Sequence, residues 1–471
     1  MKRILCIALC SALVSGTSIA ATVTWDGGAA DPDDSTWMTA ENWDGDIAPS
    51  PGDSLIFAGS TKLSPVNDYD ANTTFRSITF NPSGGFSVTG NDVYLYSGGG
   101  SVGVYNVAGA GSNAYNLNST IQCNASVQND AAGTTLTIGG SVGLSYDGND
   151  YFLSVKGAGD TMISGAMSGG GWLIKYNAGT LTLAGANTYT GYTQIIGGTI
   201  ALGADDVMPD AGRIEVYDGV LDVGTRNDTV VDVYMLNENS KIIGTTGVLT
   251  GSTYYLNNGT VTASLGGAGV LIKEGDTTTV SLQGANSYAG TTTVSQGSLL
   301  VNGPDGAIES TSDVALKYQG TLVLDNTADN KADRLNDAAQ IDLSGGRLSF
   351  IGKSDDDSAE TVGVLTLSGG YSSVSVAAGA GCSATLTADS LSAPFGTTVD
   401  FAGAGLGGAS MSPYVKFNTP PDLQSGIIPF ATVNKNDFAT YNGTDGIQAY
   451  SGYAPTIDGG ENDNVKITAS E

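Results

Sequence analysis

The chain has 471 residues, a formal charge of −29 at pH 7 and no histidine. Charged residues make up 14% of it, against roughly 25% in typical soluble domains, whereas glycine occurs 68 times. So negative a chain repels phosphate backbones, and we expect no nucleic-acid partner. The lack of histidine excludes a histidine base, a histidine zinc ligand and a Ser-His-Asp triad.

Residues 1–20 have the features of a secretory signal peptide. Lys2 and Arg3 give a positive start, Ile4–Val14 an apolar run, and Ser18-Ile19-Ala20 a cleavage site of small residues. No later apolar stretch reaches the roughly 20 residues that a membrane helix needs. We therefore predict a secreted, extracellular or outer-surface protein with no membrane-spanning segment in the mature chain.

An internal repeat occupies the middle of the chain. The segment Gly171-Trp172-Leu173-Ile174-Lys175 recurs 98 positions later as Gly269-Val270-Leu271-Ile272-Lys273. Residues 185–191 recur 99 positions later as residues 284–290. Self-similarity at a fixed distance is typical of repeat architectures.

Within each copy, apolar residues return every 19 positions. The pairs are Leu181 and Ile200, Leu183 and Leu202, Val280 and Leu299, and Leu282 and Val301. Alternating strand patterns and glycine turns separate them, and no helical period is sustained. This pattern is typical of a parallel β-solenoid, in which inward side chains stack about 4.8 Å apart. A sandwich or barrel of short strands is the alternative. One segment, Asp329–Gln340, is predicted to form a short helix or an exposed loop.

The repeat resembles that of the autotransporter-associated β-strand repeat proteins. The resemblance is carried by Gly179, Leu181, Gly185, Asn187, Tyr189, Gly191, Thr193, Ile195, Gly198 and Ile200, and in the second copy by Gly284, Asn286, Tyr288, Gly290, Thr292, Val294, Gly297 and Leu299. The second copy departs from the pattern at Glu274–Thr279. Thr24-Trp25-Asp26-Gly27 and Asn42-Trp43 are similar to the family's N-terminal block. The resemblance implies a passenger-like right-handed β-helix at a bacterial cell surface.

We predict an all-β protein built as a right-handed parallel β-helix. Its divisions would be a signal peptide (1–20), an N-terminal β-rich capping region (21–120), a parallel β-helix with two copies of a repeat of about 99 residues (121–395), and a C-terminal β-rich region (396–471). A self-anchoring member of the family would continue into an anchoring domain. We therefore expect the chain to be a truncated part of a longer protein.

Three acidic clusters supply the carboxylates that a polysaccharide-active enzyme would need. They are Asp31, Asp33 and Asp34; Asp205 and Asp206; and Asp355, Asp356 and Asp357. Each lies beside Gly, Ser or Pro, and Asp205 has a counterpart, Asp305, in the second copy, so we interpret them as solvated loops. Lys175 and Lys273 also occupy equivalent places. A catalytic residue has no reason to recur with the repeat, which favours a scaffold role at the edge of a turn.

The remaining candidates are aromatic or amide side chains. Trp25, Trp37 and Trp43 are predicted to plug the first turn of the solenoid rather than to stack on carbohydrate. Tyr189 and Tyr288 are predicted to be structural ladder positions. Asn187 and Asn286 are predicted to hydrogen-bond other side-chain amides from turn to turn. Asp458–Asp463 is a candidate calcium loop, although the EF-hand spacing is absent.

Two cysteines, Cys123 and Cys382, remain after signal-peptide removal. They lie 259 positions apart, or about 13 turns of a solenoid whose turns are spaced about 4.8 Å apart. A disulfide needs Cα atoms within about 7 Å. We predict that the two thiols do not bridge within one molecule.

These observations favour a non-enzymatic secreted or cell-surface structural protein, an adhesin-like passenger. We expect no catalytic, cofactor-binding or metal-binding residue and no cofactor. The alternative is a polysaccharide-binding or polysaccharide-degrading β-helix, which a groove with converging carboxylates and a lone non-repeating arginine would favour. Partners would be cell-surface or extracellular glycans or proteins. The ligand and the oligomeric state stay open.

Overall fold

The computed structural model describes residues 20–81, 84–96, 103–454 and 463–466. The predicted signal peptide lies outside these ranges except for Ala20, and so does the candidate calcium loop except for Asp463. The chain divides into two units, Met1–Val231 and Asp232–Glu471. In the described residues the only helix is one 3-10 turn, Ala40–Asn42. No helix there is long and apolar enough to cross a bilayer.

The described residues of unit 1 contain twenty-four strands, and β25 (Asp228–Met235) includes the boundary between the units. The strands are β1 (Thr22–Trp25), β2 (Ser54–Phe57), β3 (Val66–Asn67), β4 (Thr73–Phe75), β5 (Ser77–Phe80), β6 (Ser87–Gly90), β7 (Val93–Leu95), β8 (Val104–Asn106), β9 (Asn113–Tyr115), β10 (Ser119–Ile121), β11 (Ala125–Asn129), β12 (Thr135–Ile138), β13 (Val142–Gly143), β14 (Ser145–Tyr146), β15 (Asn149–Asp150), β16 (Leu153–Lys156), β17 (Asp160–Ile163), β18 (Met167–Ser168), β19 (Leu173–Lys175), β20 (Thr180–Leu183), β21 (Thr193–Ile195), β22 (Thr199–Leu202), β23 (Arg213–Val216) and β24 (Val220–Gly224).

Unit 2 continues the same alternation of short strands and turns. Its strands are β26 (Lys241–Gly244), β27 (Val248–Leu256), β28 (Gly259–Val261), β29 (Ser264–Gly266), β30 (Val270–Lys273), β31 (Thr279–Leu282), β32 (Thr292–Val294), β33 (Ser298–Val301), β34 (Asp313–Lys317), β35 (Thr321–Asp325), β36 (Gln340–Ser344), β37 (Arg347–Ile351), β38 (Ser358–Val362), β39 (Leu365–Gly369), β40 (Tyr371–Ala377), β41 (Ala384–Ala388), β42 (Leu391–Ser392), β43 (Thr398–Ala402), β44 (Pro413–Phe417), β45 (Ile428–Val433), β46 (Asp437–Asn442) and β47 (Gly446–Ala449).

Each unit is built from parallel sheets in which a strand pairs with the strand one turn later in the chain. In unit 1 the first sheet has the order β1-β2-β5-β8-β11-β16-β19-β21-β23. In unit 2 the first sheet has the order β27-β30-β32-β34-β36-β39-β42. This stacking of coils confirms the predicted parallel β-solenoid. The predicted divisions at residues 120 and 395 stay predictions; parallel pairing itself begins at β1.

The four register pairs predicted from the 19-residue return are all present. Leu181 pairs with Ile200 and Leu183 with Leu202, and the same holds for Val280 with Leu299 and Leu282 with Val301. All eight side chains are buried, while the residues that alternate with them are partly exposed or exposed. Period-2 alternation therefore places one apolar face inside each turn.

The first turns of unit 1 have an aromatic core. Among its rings are the fully buried Trp25, Trp37, Trp43 and Phe57. The Trp25 and Trp43 ring centroids lie 5.3 Å apart at 88°, an edge-to-face contact that aromatic quadrupoles favour. Trp43 also forms an antiparallel bridge with Trp25 at the end of β1. The segment before β2 therefore covers the interior of the first turn.

The parallel order of unit 2 ends at β45. This strand pairs parallel with β43, but β46 pairs antiparallel with β45 and β47 antiparallel with β46. Ala439 and Ile447 of these two strands are buried. The antiparallel strands thus cover the edge of the sheet to which β43 and β45 belong.

The segment Asp329–Gln340 contains no helix and reaches strand only at Gln340. The prediction of a loop is therefore correct, but the loop is not wholly exposed. Arg334 and Leu335 are buried at its centre. The buried arginine binds backbone groups, as described below.

Candidate functional site

The two lysines at equivalent places of the repeat are buried inside the turns. Lys175 Nζ donates to the carbonyl oxygens of Tyr176 and Asn177 at 2.6 and 3.0 Å. Lys273 Nζ donates to those of Glu274 and Gly275 at 2.5 and 3.2 Å. Burial lowers the pKa of each ammonium group to about 8. Both lysines hold the carbonyl oxygens of a turn, which supports the scaffold role predicted for them.

A glycine makes room for each of these lysines. Gly198 and Gly297 have φ angles of +69° and +65°, a conformation that glycine adopts without steric cost. A Cβ atom at Gly198 would lie 2.2 Å from the Asn177 carbonyl oxygen and 2.7 Å from Lys175 Nζ, and one at Gly297 would lie 2.4 Å from the Thr278 carbonyl oxygen and 2.8 Å from Lys273 Nζ. The glycine and the lysine of each copy therefore form one structural unit.

Asn187 and Asn286 connect neighbouring turns through the backbone. The Asn187 side chain accepts from the Met167 N–H at 2.8 Å and donates to the Val207 carbonyl at 2.6 Å. Asn286 binds Leu265 and Ala307 in the same way, at 3.1 and 3.0 Å. The prediction that these two asparagines bond other side-chain amides is therefore wrong. Both amides instead form hydrogen bonds to the backbone N–H and carbonyl groups of the adjacent turns.

A ladder of side-chain amides does occur elsewhere in unit 1. Asn113 Nδ2 donates to Asn106 Oδ1 at 2.8 Å, and Asn106 Nδ2 donates to Asn129 Oδ1 at 2.9 Å. All three residues are buried. The predicted kind of interaction is therefore real, but it is formed by asparagines outside the matched repeat.

Two buried carboxylates, missed in the sequence, take a role similar to that of Asn187 and Asn286. Asp228 accepts from the N–H groups of Val207 and Met208, both at 3.0 Å. Glu360 accepts from those of Arg334 and Leu335 at 3.1 and 3.2 Å. Burial raises the pKa of Asp228 to about 6 and that of Glu360 to about 8. Asp228 lies two turns after Asn187, so the return distance itself could have identified it.

The tyrosines of the repeat are buried and paired with threonine. The Tyr189 and Thr193 hydroxyl oxygens are 2.5 Å apart, and those of Tyr288 and Thr292 are 2.8 Å apart. Desolvation raises the pKa of both phenols. A hydroxyl pair that is enclosed in both copies supports the predicted structural role.

The tryptophans of the N-terminal region offer no surface to a ligand. Trp25, Trp37 and Trp43 are fully buried, and Trp43 Nε1 donates to the Trp37 carbonyl at 2.8 Å. A carbohydrate ring needs an exposed aromatic face for stacking. The rings instead pack on one another, in keeping with their predicted plugging role.

The acidic clusters lie in loops, and one aspartate of each accepts hydrogen bonds from nearby protein groups. Asp34 accepts from Thr36 and Thr39, and these bonds lower its pKa to about 2. Asp205 accepts from Asn227 N–H at 3.0 Å, and Asp357 from Ser383 N–H at 2.7 Å. Asp31, Asp33, Asp206, Asp305, Asp355 and Asp356 are exposed. Among the described residues, no three acidic or sulfur side chains are grouped as a metal site.

Arg334 is a non-repeating arginine of the kind that an enzyme would need, and the structure gives it a different role. Its guanidinium donates to Asn326 Oδ1 at 2.5 Å and to the carbonyl oxygens of Gly303, Gly306 and Asp329 at 3.0, 2.7 and 2.7 Å. The side chain is fully buried. These bonds occupy the guanidinium group. Arg334 therefore organises the backbone and is enclosed away from any substrate.

The outer face of the first sheet of unit 1 carries a column of large side chains. Strand register places Trp172, Tyr192 and Arg213 side by side on successive turns. Trp172 and Tyr192 are 47% and 42% exposed, and their rings stack at 5.9 Å and 14°. The Arg213 guanidinium lies 5.1 Å from the Tyr192 ring. Arg213 also pairs with Glu215 at 2.6 Å, so the column is held in place by its own contacts.

The same register positions in unit 2 hold small or acidic residues. Val270 corresponds to Trp172, Thr291 to Tyr192 and Asp313 to Arg213. The interior residues are alike in the two copies, whereas the outward-facing ones differ in size and charge. The outer face of the first sheet is therefore the candidate functional surface, which the repeat pattern alone did not indicate.

Both cysteines are thiols in the structure, with Cys123 buried and Cys382 partly exposed. Burial and the neighbouring Asp357 raise the pKa of Cys382. A raised pKa disfavours the reactive thiolate at neutral pH. Neither cysteine therefore adds chemistry to the candidate surface.

Comparison with known proteins identifies the repeat. Residues 173–202 and 271–301 match the passenger-associated-transport-repeat family. The chain is also 31% identical, over 175 residues, to the adhesin BmaC autotransporter of Brucella suis biovar 1 (strain 1330). That match covers 37% of this chain and 4% of the relative's length. No solved structure matches the chain. These matches confirm the resemblance to the autotransporter-associated repeat proteins.

Proposed function

We propose that the protein is a secreted, non-enzymatic, adhesin-like passenger that acts at the outer cell surface. The observation that carries this proposal is the exposed column of Trp172, Tyr192 and Arg213. Tryptophan, tyrosine and arginine are the residue types that dominate the binding energy of protein interfaces. Two matches to a passenger repeat and the similarity to part of an adhesin support the same reading.

The column is well suited to contact another macromolecule. Stacking and the Arg213–Glu215 ion pair fix the side chains before any partner arrives, which lowers the entropy lost on binding. Its position on the flat outer face of a parallel sheet leaves it open to solvent. A large partner can therefore approach it without rearrangement of the core.

The test is attachment of the purified chain to host cells and to immobilised extracellular-matrix proteins. The decisive variant replaces Trp172→Val and Tyr192→Thr, the residues that the second copy carries at Val270 and Thr291. We expect attachment to fall at least tenfold. Tyr371→Thr is the matched control because Tyr371 is also half-exposed at the start of a strand. Equal attachment of both variants and the parent chain contradicts the proposed role of the column.

Enzymatic action is tested separately, with pectin, alginate, glycosaminoglycans and mucin glycans as substrates. We expect no turnover, because Arg334 is enclosed and aspartates of the acidic clusters accept from backbone N–H groups of neighbouring turns. Turnover that disappears when one aspartate is changed to asparagine would establish the degrading alternative instead.

A further inference from the structure

A shallow cavity of about 470 Å³, open to solvent, lies on the outer face of the first sheet of unit 2. It is lined by three successive strands, β32, β34 and β36, and by the residue before β32. The side chains used below are Thr291, Thr293, Asp313, Ala315, Gln340 and Asp342. Its volume is within the roughly 300–1,000 Å³ of small-molecule sites.

The cavity exists because the second copy of the repeat has small residues where the first has large ones. Ala315 is in register with Thr293 on one side and Asp342 on the other. Its counterpart in unit 1 is Glu215, which is in register with Gln194 and binds it at 2.8 Å. Thr291 likewise replaces Tyr192. Smaller side chains at these register positions therefore open the space.

One atom of this cavity's lining lacks a partner. Asp342 Oδ1 is shielded from solvent and has no hydrogen-bond partner among the described residues. Buried polar atoms are nearly always hydrogen-bonded, because an unpaired one keeps its full desolvation cost. Oδ1 is closed to water in the free chain, so a ligand donor reaches it only when the Asp342 side chain turns towards the cavity, and such a bond would remove this cost.

The lining groups define which ligands fit. Asp313 and Asp342 accept hydrogen bonds, while the Thr291 and Thr293 hydroxyls and the Gln340 amide can both donate and accept. Among the residues that the structure describes, no basic side chain lines the cavity, so its two carboxylates repel anionic ligands. The acidic side chains around it do not form a group that could hold a metal ion, within the described residues. Hydroxyl groups, which donate and accept together, match this lining best.

We propose that this cavity is a binding subsite for an uncharged glycan segment. Thr293 and Asp342 lie two turns apart, about 9.6 Å at the usual strand spacing, so hydroxyls on both sides of the segment can be held at once. Ala315 lies between them and leaves room for the sugar ring. The inference goes beyond the proposed function, since a passenger can attach through the Trp172 column without this subsite.

The experiment measures binding of the full chain to soluble neutral oligosaccharides of glucose, mannose, xylose and N-acetylglucosamine, by titration calorimetry. The filling variant is Ala315→Tyr, and Asp342→Asn changes the unpaired carboxylate without changing its size. Ala201→Tyr is the control, because Ala201 lies at an outward position of β22 outside the cavity. Unchanged circular dichroism and melting temperature establish that each variant is folded.

We expect at least one neutral oligosaccharide to bind, with a dissociation constant that rises at least tenfold in both cavity variants and stays unchanged in Ala201→Tyr. Absence of binding to every neutral oligosaccharide overturns the proposal. Binding that survives Ala315→Tyr, or that is confined to uronic-acid oligosaccharides, also overturns it. Cell attachment of Ala315→Tyr separates the two proposals, since the Trp172 column is intact in that variant.

Discussion

The two copies of the repeat agree inside the solenoid and differ on its outer face. Inside, each copy has the same lysine on turn carbonyls, the same asparagine between turns and the same tyrosine–threonine pair. Outside, a stacked Trp172 and Tyr192 in the first copy correspond to Val270 and Thr291 in the second. The fold fixes the interior because every buried polar group needs its partner. It leaves the outer face open to change.

The largest expected effect comes from placing a charge inside a turn. Leu183 is fully buried between Ile163 and Leu202 of the adjacent turns. Leu183→Asp should lower the free energy of unfolding by several kcal/mol, because an unpaired carboxylate is buried. Asp356→Ala, at an exposed loop, should change it by less than about 0.5 kcal/mol. Equal shifts in chemical denaturation would contradict the distinction between interior and outer face.

The next effect sharpens the role of the buried amides. Asn187→Ala leaves the Met167 N–H and the Val207 carbonyl without their side-chain partner. Each buried group left unpaired costs about 1–3 kcal/mol. Asn286→Ala removes the bonds to Leu265 and Ala307, but the Ala307 carbonyl keeps the backbone N–H of residue 286 as a donor, so this variant should cost less. A larger loss of stability in Asn286→Ala than in Asn187→Ala, measured by chemical denaturation, would contradict this role of the two amides.

A pH titration tests the buried Glu360. Its pKa is raised to about 8 by burial, with Asp333 and Asp337 adding to the shift, so the folded state holds a proton that the unfolded state has released. The contribution of Glu360 to the free energy of unfolding is therefore largest below pH 4.5, and it is lost as the pH rises to about 8. In Glu360→Gln this fall should shrink by at least about 1.4 kcal/mol, the equivalent of one pKa unit. If the stability of the variant falls with pH as steeply as that of the parent, the raised pKa of Glu360 is contradicted.

The smallest effect is expected for an exchange between the copies on the outer face. The double variant Trp172→Val, Tyr192→Thr should change the free energy of unfolding by about 1 kcal/mol or less, since exposed aromatic contacts contribute at most that much. Thermal denaturation measures it. A loss as large as that of Asn187→Ala would mean that the column is part of the scaffold and not a separable surface.

The sequence could predict the interior better than the surface, for a physical reason. Stacked side chains repeat because each meets its own kind one turn away, and the return of Leu181 at Ile200 is therefore visible in the letters. Arg334 lies in a segment without such a return, and its polar neighbours suggested exposure although it is buried. The Trp172 column and the Ala315 cavity depend on the strand register between turns. The sequence predicts which side chains are neighbours across turns only when the length of every turn is known.

The partner of Asn187 shows the same limit at a single residue. An amide inside a turn was expected to meet another amide, and Asn106 and Asn129 do so. Asn187 instead binds backbone atoms, because the adjacent turns place Met167 and Val207, which have no side-chain amide, at the contact points. Sequence identifies a buried amide, but only the length and path of neighbouring turns decide what it binds.

The antiparallel strands β46 and β47 bear on how such a protein avoids polymerising. A parallel ladder is a template for its own growth, because an exposed edge can recruit a like-oriented strand from a second molecule. Here the direction of the chain reverses after β45, and the pairing that follows has the alternating bond spacing of antiparallel strands. A solenoid strand of another copy would meet the edge of an antiparallel pair there and not a further parallel turn. The edge of β45 that such a strand would extend is already occupied by β46 of the same chain.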